Sequence, residues 1–304
     1  MTKHRALAAA LALIAATSAR ASLKVVATTP EYGAVAAAIG GDRVSVATLA
    51  KATEDPHFVD AKPSHIVTLN HADVLIEGGA DLEVGWLPPL IEGARNPKIN
   101  AGGPGRIRAS EGIQLLDVPA VLDRSQGDVH AAGNPHFMMD PMNARVVAQH
   151  VADVFCRLDA PSCDGYKSNL AAFQSKLDAK TKEWAAALAP FKGTPIVTYH
   201  PTWRYFAQRF GLVSEIFLEP KPGIPPSPPH LAEVMSKMGE QKIRVLLVEP
   251  FQSRKTAEAV ASRTGATVVD VCQFPGGIPG TDRDYLALLD ADVRAIVAGL
   301  QAGK

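Results

Sequence analysis

The sequence predicts an α/β protein of two lobes, each a mostly parallel sheet flanked by helices, joined by one long rigid helix. Three observations carry this. Short β-rich runs alternate with helical patterns from Leu23 to Val118, the mark of βαβ units. The alternation restarts at Thr194 and continues toward the C-terminus. Between them, Tyr166, Leu170, Phe173, Leu177, Thr181, Trp184 and Leu188 recur at steps of three and four, a helical stripe. At 304 residues and 47% hydrophobic, the chain is large enough for two cores. The expected organisation is a leader over 1–21, an N-terminal lobe over 22–163, a linking helix over 164–190 and a C-terminal lobe over 191–304.

In the first lobe LKVVAT (23–28) reads as a strand, and EYGAVAAAIGG as a helix stopped by glycine. VSVATLA (44–50) is a second strand, KPSHIVTLNHA a helix and DVLIEGG a strand. EVGWLPPLIEGA is a helix with a proline-disturbed start, and further strands are expected at KIN (98–100) and IQLLDV (113–118). A helix begins near Asp140-Pro141. The linking helix ends at Pro190 and Gly193, and at about 1.5 Å per residue it runs close to 40 Å. In the second lobe the strands are TPIVTYH (194–200), VSEIFLE (213–219), IRVLLVE and ATVVDV (266–271). Helices lie at WRYFAQRFG, HLAEVMSKMGEQK, SRKTAEAVASRTG and DYLALLDADVRAIVAGLQ.

Lys+Arg and Asp+Glu both number 31, so the basic excess of a nucleic-acid binder is missing and no nucleic-acid partner is expected. Residues 1–21 place Lys3 and Arg5 before an apolar run over Ala6–Ala16 and end in Ala19-Arg20-Ala21, the order of a cleavable secretory signal. The run is too short to span a bilayer. No cysteine follows the cleavage point, so the expectation is a periplasmic protein that is not lipid-anchored. In an oxidising compartment Cys156 and Cys163 can close a short loop, leaving Cys272 as a buried small hydrophobe.

The chain has no HExxH, no CxxC, no glycine-rich phosphate loop and no GxSxG elbow, which weakens hydrolase, redox and nucleotide readings together. Three histidines stand out. His57 and His136 each follow a proline, and His200 ends a strand and precedes Pro201. All three fall in strand-to-helix loops, which in open α/β sheets gather at the carboxyl edge where ligands bind. Neutral imidazole is the commonest metal ligand near neutral pH. Three imidazoles and one carboxylate would form a tetrahedral set suited to Zn²⁺. His130, in RSQGDVHAAG, is a possible auxiliary metal residue, with a solvated loop position the plainer reading. His65, His71, His150 and His230 read as surface or helix-packing residues. A cleft for an organic or anionic solute would instead use groups such as Trp203 or Arg204.

DPHFVDAKPSHI, GNPHFMMDP and VTYHPTWRYFAQRFGL, followed by EPKPGIPPSPPHL, resemble the motifs of the zinc/manganese solute-binding receptors of bacterial ABC importers, the cluster A-I family of ZnuA and TroA type. The likeness covers nearly the whole chain after the leader. It implies two lobes joined by one rigid helix, with a metal in the cleft held by His57, His136 and His200. Histidine at the third position, where manganese-selective members commonly carry Glu, implies zinc over manganese. Asp270 in TVVDVCQFPGG is the implied fourth ligand, with Cys272, Glu249 or a water as alternatives. The His-rich loop of many zinc receptors is short here, leaving Asp123, Asp128 and His130. The implied function is a zinc receptor, not an enzyme, that acts as a monomer and delivers Zn²⁺ to an inner-membrane ABC permease. A manganese receptor of the same family and a secreted zinc-dependent hydrolase are the alternatives. Protons compete for imidazole, so affinity should fall steeply below about pH 6.

Overall fold

A computed structural model of the protein describes residues 22–120, 130–221, 223–282 and 284–303. The expected leader, Asp123 and Asp128 lie outside them. Two four-stranded parallel sheets form the frame. The first holds β1 (Leu23–Ala27), β2 (Val44–Thr48), β3 (Val74–Glu77) and β4 (Arg106–Arg108) in the order β2-β1-β3-β4. The second repeats that order with β5 (Pro195–Thr198), β6 (Val213–Phe217), β7 (Val245–Val248) and β8 (Thr267–Asp270), as β6-β5-β7-β8. Central strands β3 and β7 are buried along their whole length, as parallel strands covered on both faces must be.

Two expected strands do not form. Lys98–Asn100 is a turn, and 113–118 is irregular. Ile113, Leu115 and Leu116 spend their apolar surface on the core without pairing, and Asp117, at φ +53°, breaks the extended path. The fourth strand is instead Arg106–Arg108, too short and too charged for a hydrophobic pattern to reveal. Gly105 starts it because the backbone there runs against β3: a Cβ at that position would lie 2.0 Å from the Asp73 carbonyl oxygen.

The helices are α1 (Pro30–Gly40), α2 (Pro63–Asn70), α3 (Leu87–Ala94), α4 (Pro141–Leu158), α5 (Cys163–Leu188), α6 (Arg204–Phe210), α7 (Pro228–Glu240), α8 (Arg254–Thr264) and α9 (Tyr285–Ala302). The predicted stripe becomes the buried face of α5, which hides Tyr166, Leu170, Phe173, Leu177, Trp184 and Leu188. Thr181 sits partly buried on that face and returns its hydroxyl to the Leu177 carbonyl. Each large apolar side chain so buried is worth about 1.5–3 kcal/mol. α5 packs on α1 and α4 at one end and on α9 at the other. Asn169 Nδ2 donates to the Ile39 carbonyl in the first lobe, and Trp184 Nε1 to Asp290 in the second. One continuous hydrophobic core therefore runs from β1 and β3 through α5 to β7 and β8.

Cys156, near the end of α4, is disulfide-bonded to Cys163 at the start of α5, and Cys272 is free and buried. The loop closed is short, so the chain-entropy estimate is roughly 2.5 kcal/mol. Cys156→Ser/Cys163→Ser is expected to lower the unfolding free energy by about that amount in denaturant titration, and an unchanged midpoint would contradict it. No helix among the described residues is long and apolar enough to cross a membrane.

Candidate metal centre

His57 lies in the loop after β2, His136 just before α4, and His200 just after β5. All three are therefore carried by loops at the sheet edges facing the cleft. The fold brings them together: the ligand-capable atoms of His57, His136 and His200 lie within 4.8 Å of one another. His200 Nε2 is 3.2 Å from His136 Nε2. Two nitrogens bound to one tetrahedral Zn²⁺ at about 2.0–2.1 Å must stand about 3.3–3.4 Å apart, so the spacing suits a shared ion.

Each ring is held from behind through Nδ1. His57 Nδ1 is 2.8 Å from Asp55 Oδ1, which also accepts the His57 backbone N–H at 3.0 Å. His200 Nδ1 is 2.8 Å from Glu219 Oε2. His136 Nδ1 is 3.1 Å from Gln273 Oε1. An acceptor at Nδ1 fixes the Nδ1–H tautomer and leaves the Nε2 lone pair pointing into the cluster. Asp55 is visible in sequence as the residue two before His57 in DPH. Glu219 and Gln273 are not. Glu219 reaches His200 because β6 lies beside β5, its backbone N–H donating to the Tyr199 carbonyl. Gln273 follows β8 and meets His136 only through the closed fold.

Asn134 ties two of the loops together: its Oδ1 accepts the His136 backbone N–H at 3.0 Å, and its Nδ2 donates to the Pro201 carbonyl at 2.9 Å. Beyond it, Asp140 caps α4 at the Met142 N–H and forms a two-pronged pair with Arg209 of α6 at 2.7 Å on each prong.

Burial and the neighbouring rings depress two of the imidazoles, His136 and His200. Desolvation, then the charges of His200, His57 and His130, hold His136 well below its ordinary range. Desolvation also lowers His200, against the upward pull of Glu219. For Asp55 burial pushes upward, but the hydrogen bond from His57 and that ring's charge prevail and lower it. The His136 and His200 rings therefore favour the neutral form, with the lone pair available.

Asp270, the expected fourth ligand, stands apart. It is 67% exposed at the end of β8 and its carboxylate is paired with Arg254 of α8. Residues two apart on a strand share a face, but Asp270 ends the strand on the solvent side. The alternatives are also engaged. Glu249 is buried, accepts from Thr202 and Gln252, and is pushed up to about 8, first by desolvation. Cys272 lies against the Ala52 carbonyl, and burial raises its thiol. His130, in contrast, is not a solvated loop residue: its Nε2 is 3.2 Å from His57 Nε2, and burial lowers it to about 4. The cavity bounded by His57, His136, His200, Asp55 and Glu219 measures about 190 Å³, below the about 300–1,000 Å³ of small-molecule sites. Trp203 is fully buried and Arg204 is paired with Asp117, so neither serves an organic solute there.

Replacing Glu219 by Gln keeps the shape and removes the charge behind His200. Such outer partners are worth about 10–100-fold in metal affinity, and Glu219→Gln is expected to lose affinity in that range. An unchanged affinity in a zinc competition titration would show that Glu219 does not support the ring.

A two-lobed α/β chain with an imidazole cluster in a cleft too small for an organic solute is built to capture an ion. The family described as "ZnuA: Zinc-uptake complex component A periplasmic" matches residues 25–299, and the chain belongs to that family. A crystal structure of ZnuA superposes with a TM-score of 0.76 at 25% identity, covering 91% of this chain and 99% of that one. The iron ABC transporter substrate-binding lipoprotein MtsA of Streptococcus pyogenes serotype M1 is 25% identical over 252 residues, 81% of this chain and 78% of MtsA. The manganese ABC transporter substrate-binding lipoprotein PsaA of Streptococcus pneumoniae is 24% identical, covering 83% of this chain and 80% of PsaA. This chain is a metal-binding substrate-binding protein of an ABC importer, not an enzyme.

These relatives correct one expectation. MtsA and PsaA are both named lipoproteins, which overturns the reading of a protein without a lipid anchor. That reading rested on a single residue at a cleavage point inferred from a pattern.

Proposed function

We propose that the chain captures one Zn²⁺ through His57, His136 and His200 and passes it to the membrane permease of its importer. The observation that supports this reading is the convergence of three Nε2 atoms, each ring backed at Nδ1 by an acceptor of its own. Nitrogen donors suit zinc, whereas manganese favours carboxylate and water oxygens. In this reading 22–163 and 191–304 are the lobes around the ion, 164–190 fixes their separation, and one monomer supplies the whole site. A manganese receptor is the second reading, favoured by the printed name of PsaA.

Elemental analysis of the purified chain tests both: one equivalent of zinc supports the first, and manganese in its place supports the second. The pH dependence follows from the lowered imidazoles. Groups depressed below 6.5 keep their lone pairs as pH falls through 6.5 and lose them lower down. Zinc affinity is therefore expected to hold from pH 8 to about 6 and to fall more than tenfold by about pH 4.5. Affinity independent of pH across that range would rule out an imidazole set.

A further inference from the structure

We infer that His130 is the fourth ligand of this centre, so that the ion is held by four imidazole nitrogens and no carboxylate. The inference rests on the three-imidazole reading and completes it. His130 Nε2 stands 3.2 Å from His57 Nε2, the same spacing as between His200 and His136. Its ring centroid is 5.1 Å from that of His57, matching the 5.1–5.3 Å among the other three rings where they meet. His130 lies beside the tight trio rather than within it. A cavity of about 190 Å³, lined by His130, His136, His200 and Asn134, leaves room for the ring to swing inward.

Leu116 and Asp117, well before His130, and Asn134, four residues after it, are pinned to the second lobe. Tyr205 Oη accepts the Leu116 N–H at 2.8 Å and donates to the Asn134 carbonyl at 2.6 Å. Arg204 pairs with Asp117 at 2.9 Å, and Asn134 N–H closes on the Leu116 carbonyl at 2.8 Å. His130 thus lies four residues before Asn134, which is fixed to the Pro201 carbonyl beside His200. Among the described residues, the candidate acidic side chains for the place each already hold a partner. Asp55 and Glu219 spend an oxygen each on the backs of the rings, Glu249 is tied to Thr202 and Gln252, and Asp270 to Arg254. An all-nitrogen set weights the site toward zinc and against manganese more strongly than three imidazoles and a carboxylate would.

The test uses the full chain and titrates Zn²⁺, Mn²⁺ and Co²⁺ against wild type, His130→Ala, His130→Asp and His57→Ala. His130→Ala is expected to weaken zinc by at least the about 10–100-fold that loss of an outer-shell partner costs. Its Co²⁺ ligand-field bands should change as water takes the vacated position, with the unfolding midpoint of the metal-free protein unaltered. His130→Asp should narrow the preference for Zn²⁺ over Mn²⁺. If His130→Ala keeps the wild-type zinc affinity and Co²⁺ spectrum while His57→Ala loses binding, the fourth-ligand assignment is wrong and the three-imidazole reading stands. If His57→Ala also binds zinc as wild type does, the three-imidazole reading fails and takes the assignment with it.

Discussion

His136→Ala is expected to lower zinc affinity on the order of 10²–10³-fold. Protein zinc sites of four ligands are worth about 10–16 kcal/mol, or about 2.5–4 kcal/mol for each ligand. His136 is the most enclosed of the cluster at 4% exposure, and its ring and backbone are both fixed, by Gln273 and by Asn134. A water drawn into its place would lack that orientation. Competition with a chromophoric chelator measures the loss, and an affinity within threefold of wild type would remove His136 from the ligand set. Asn134 keeps its bond to the Pro201 carbonyl in the variant, so the loops stay joined and the loss reports on the ring itself.

The second large effect concerns α5. Trp184→Ala is expected to cost about 3–5 kcal/mol, the range for deleting a buried aromatic ring. The side chain is 2% exposed, and its Nε1 donates to Asp290 at 3.0 Å, an oxygen that also accepts from Lys180. Because a single core threads both lobes along this helix, the damage should appear as one lowered transition rather than as loss of the second lobe alone. At about 2–4 °C per kcal/mol the unfolding midpoint of the metal-free protein should drop by roughly 10 °C. Two separated transitions would show that the lobes melt independently. Trp184→Phe restores most of the apolar contact but not the donor to Asp290, and should recover the larger part of the loss.

Periodicity reached the frame and stopped short of the site's details. The stripe from Tyr166 to Leu188 is a local pattern, and six of its members are the buried face of α5. The strands that carry a long apolar run, such as Val74–Glu77 and Val245–Val248, announce themselves in the same way. Arg106–Arg108 does not, because pairing with β3 places it there and hydrophobicity plays little part. Proline-flanked histidines in loops were readable as ligand candidates, since the loops of both sheets that carry them face the cleft. The direction of Asp270 was not legible because a position at the end of β8 can face either the cleft or solvent, and the sequence does not say which. Arg254, on the preceding helix, takes it outward. The placement of His130 was hidden for the converse reason. Its neighbourhood in the chain looks polar and loose, while its ring in space meets that of His57 from another loop.

The acceptors behind the rings also set the electrical balance of the centre. Asp55 and Glu219 are carboxylates, whereas Gln273 is an uncharged amide. These two carboxylates place negative charge directly behind the ligand rings, and a dication bound in front of them would offset it. Vacancy therefore draws cations in and occupancy removes the pull. Capture should be accelerated at low ionic strength and slowed by added salt, while the loaded receptor presents the permease with a mouth of little net potential.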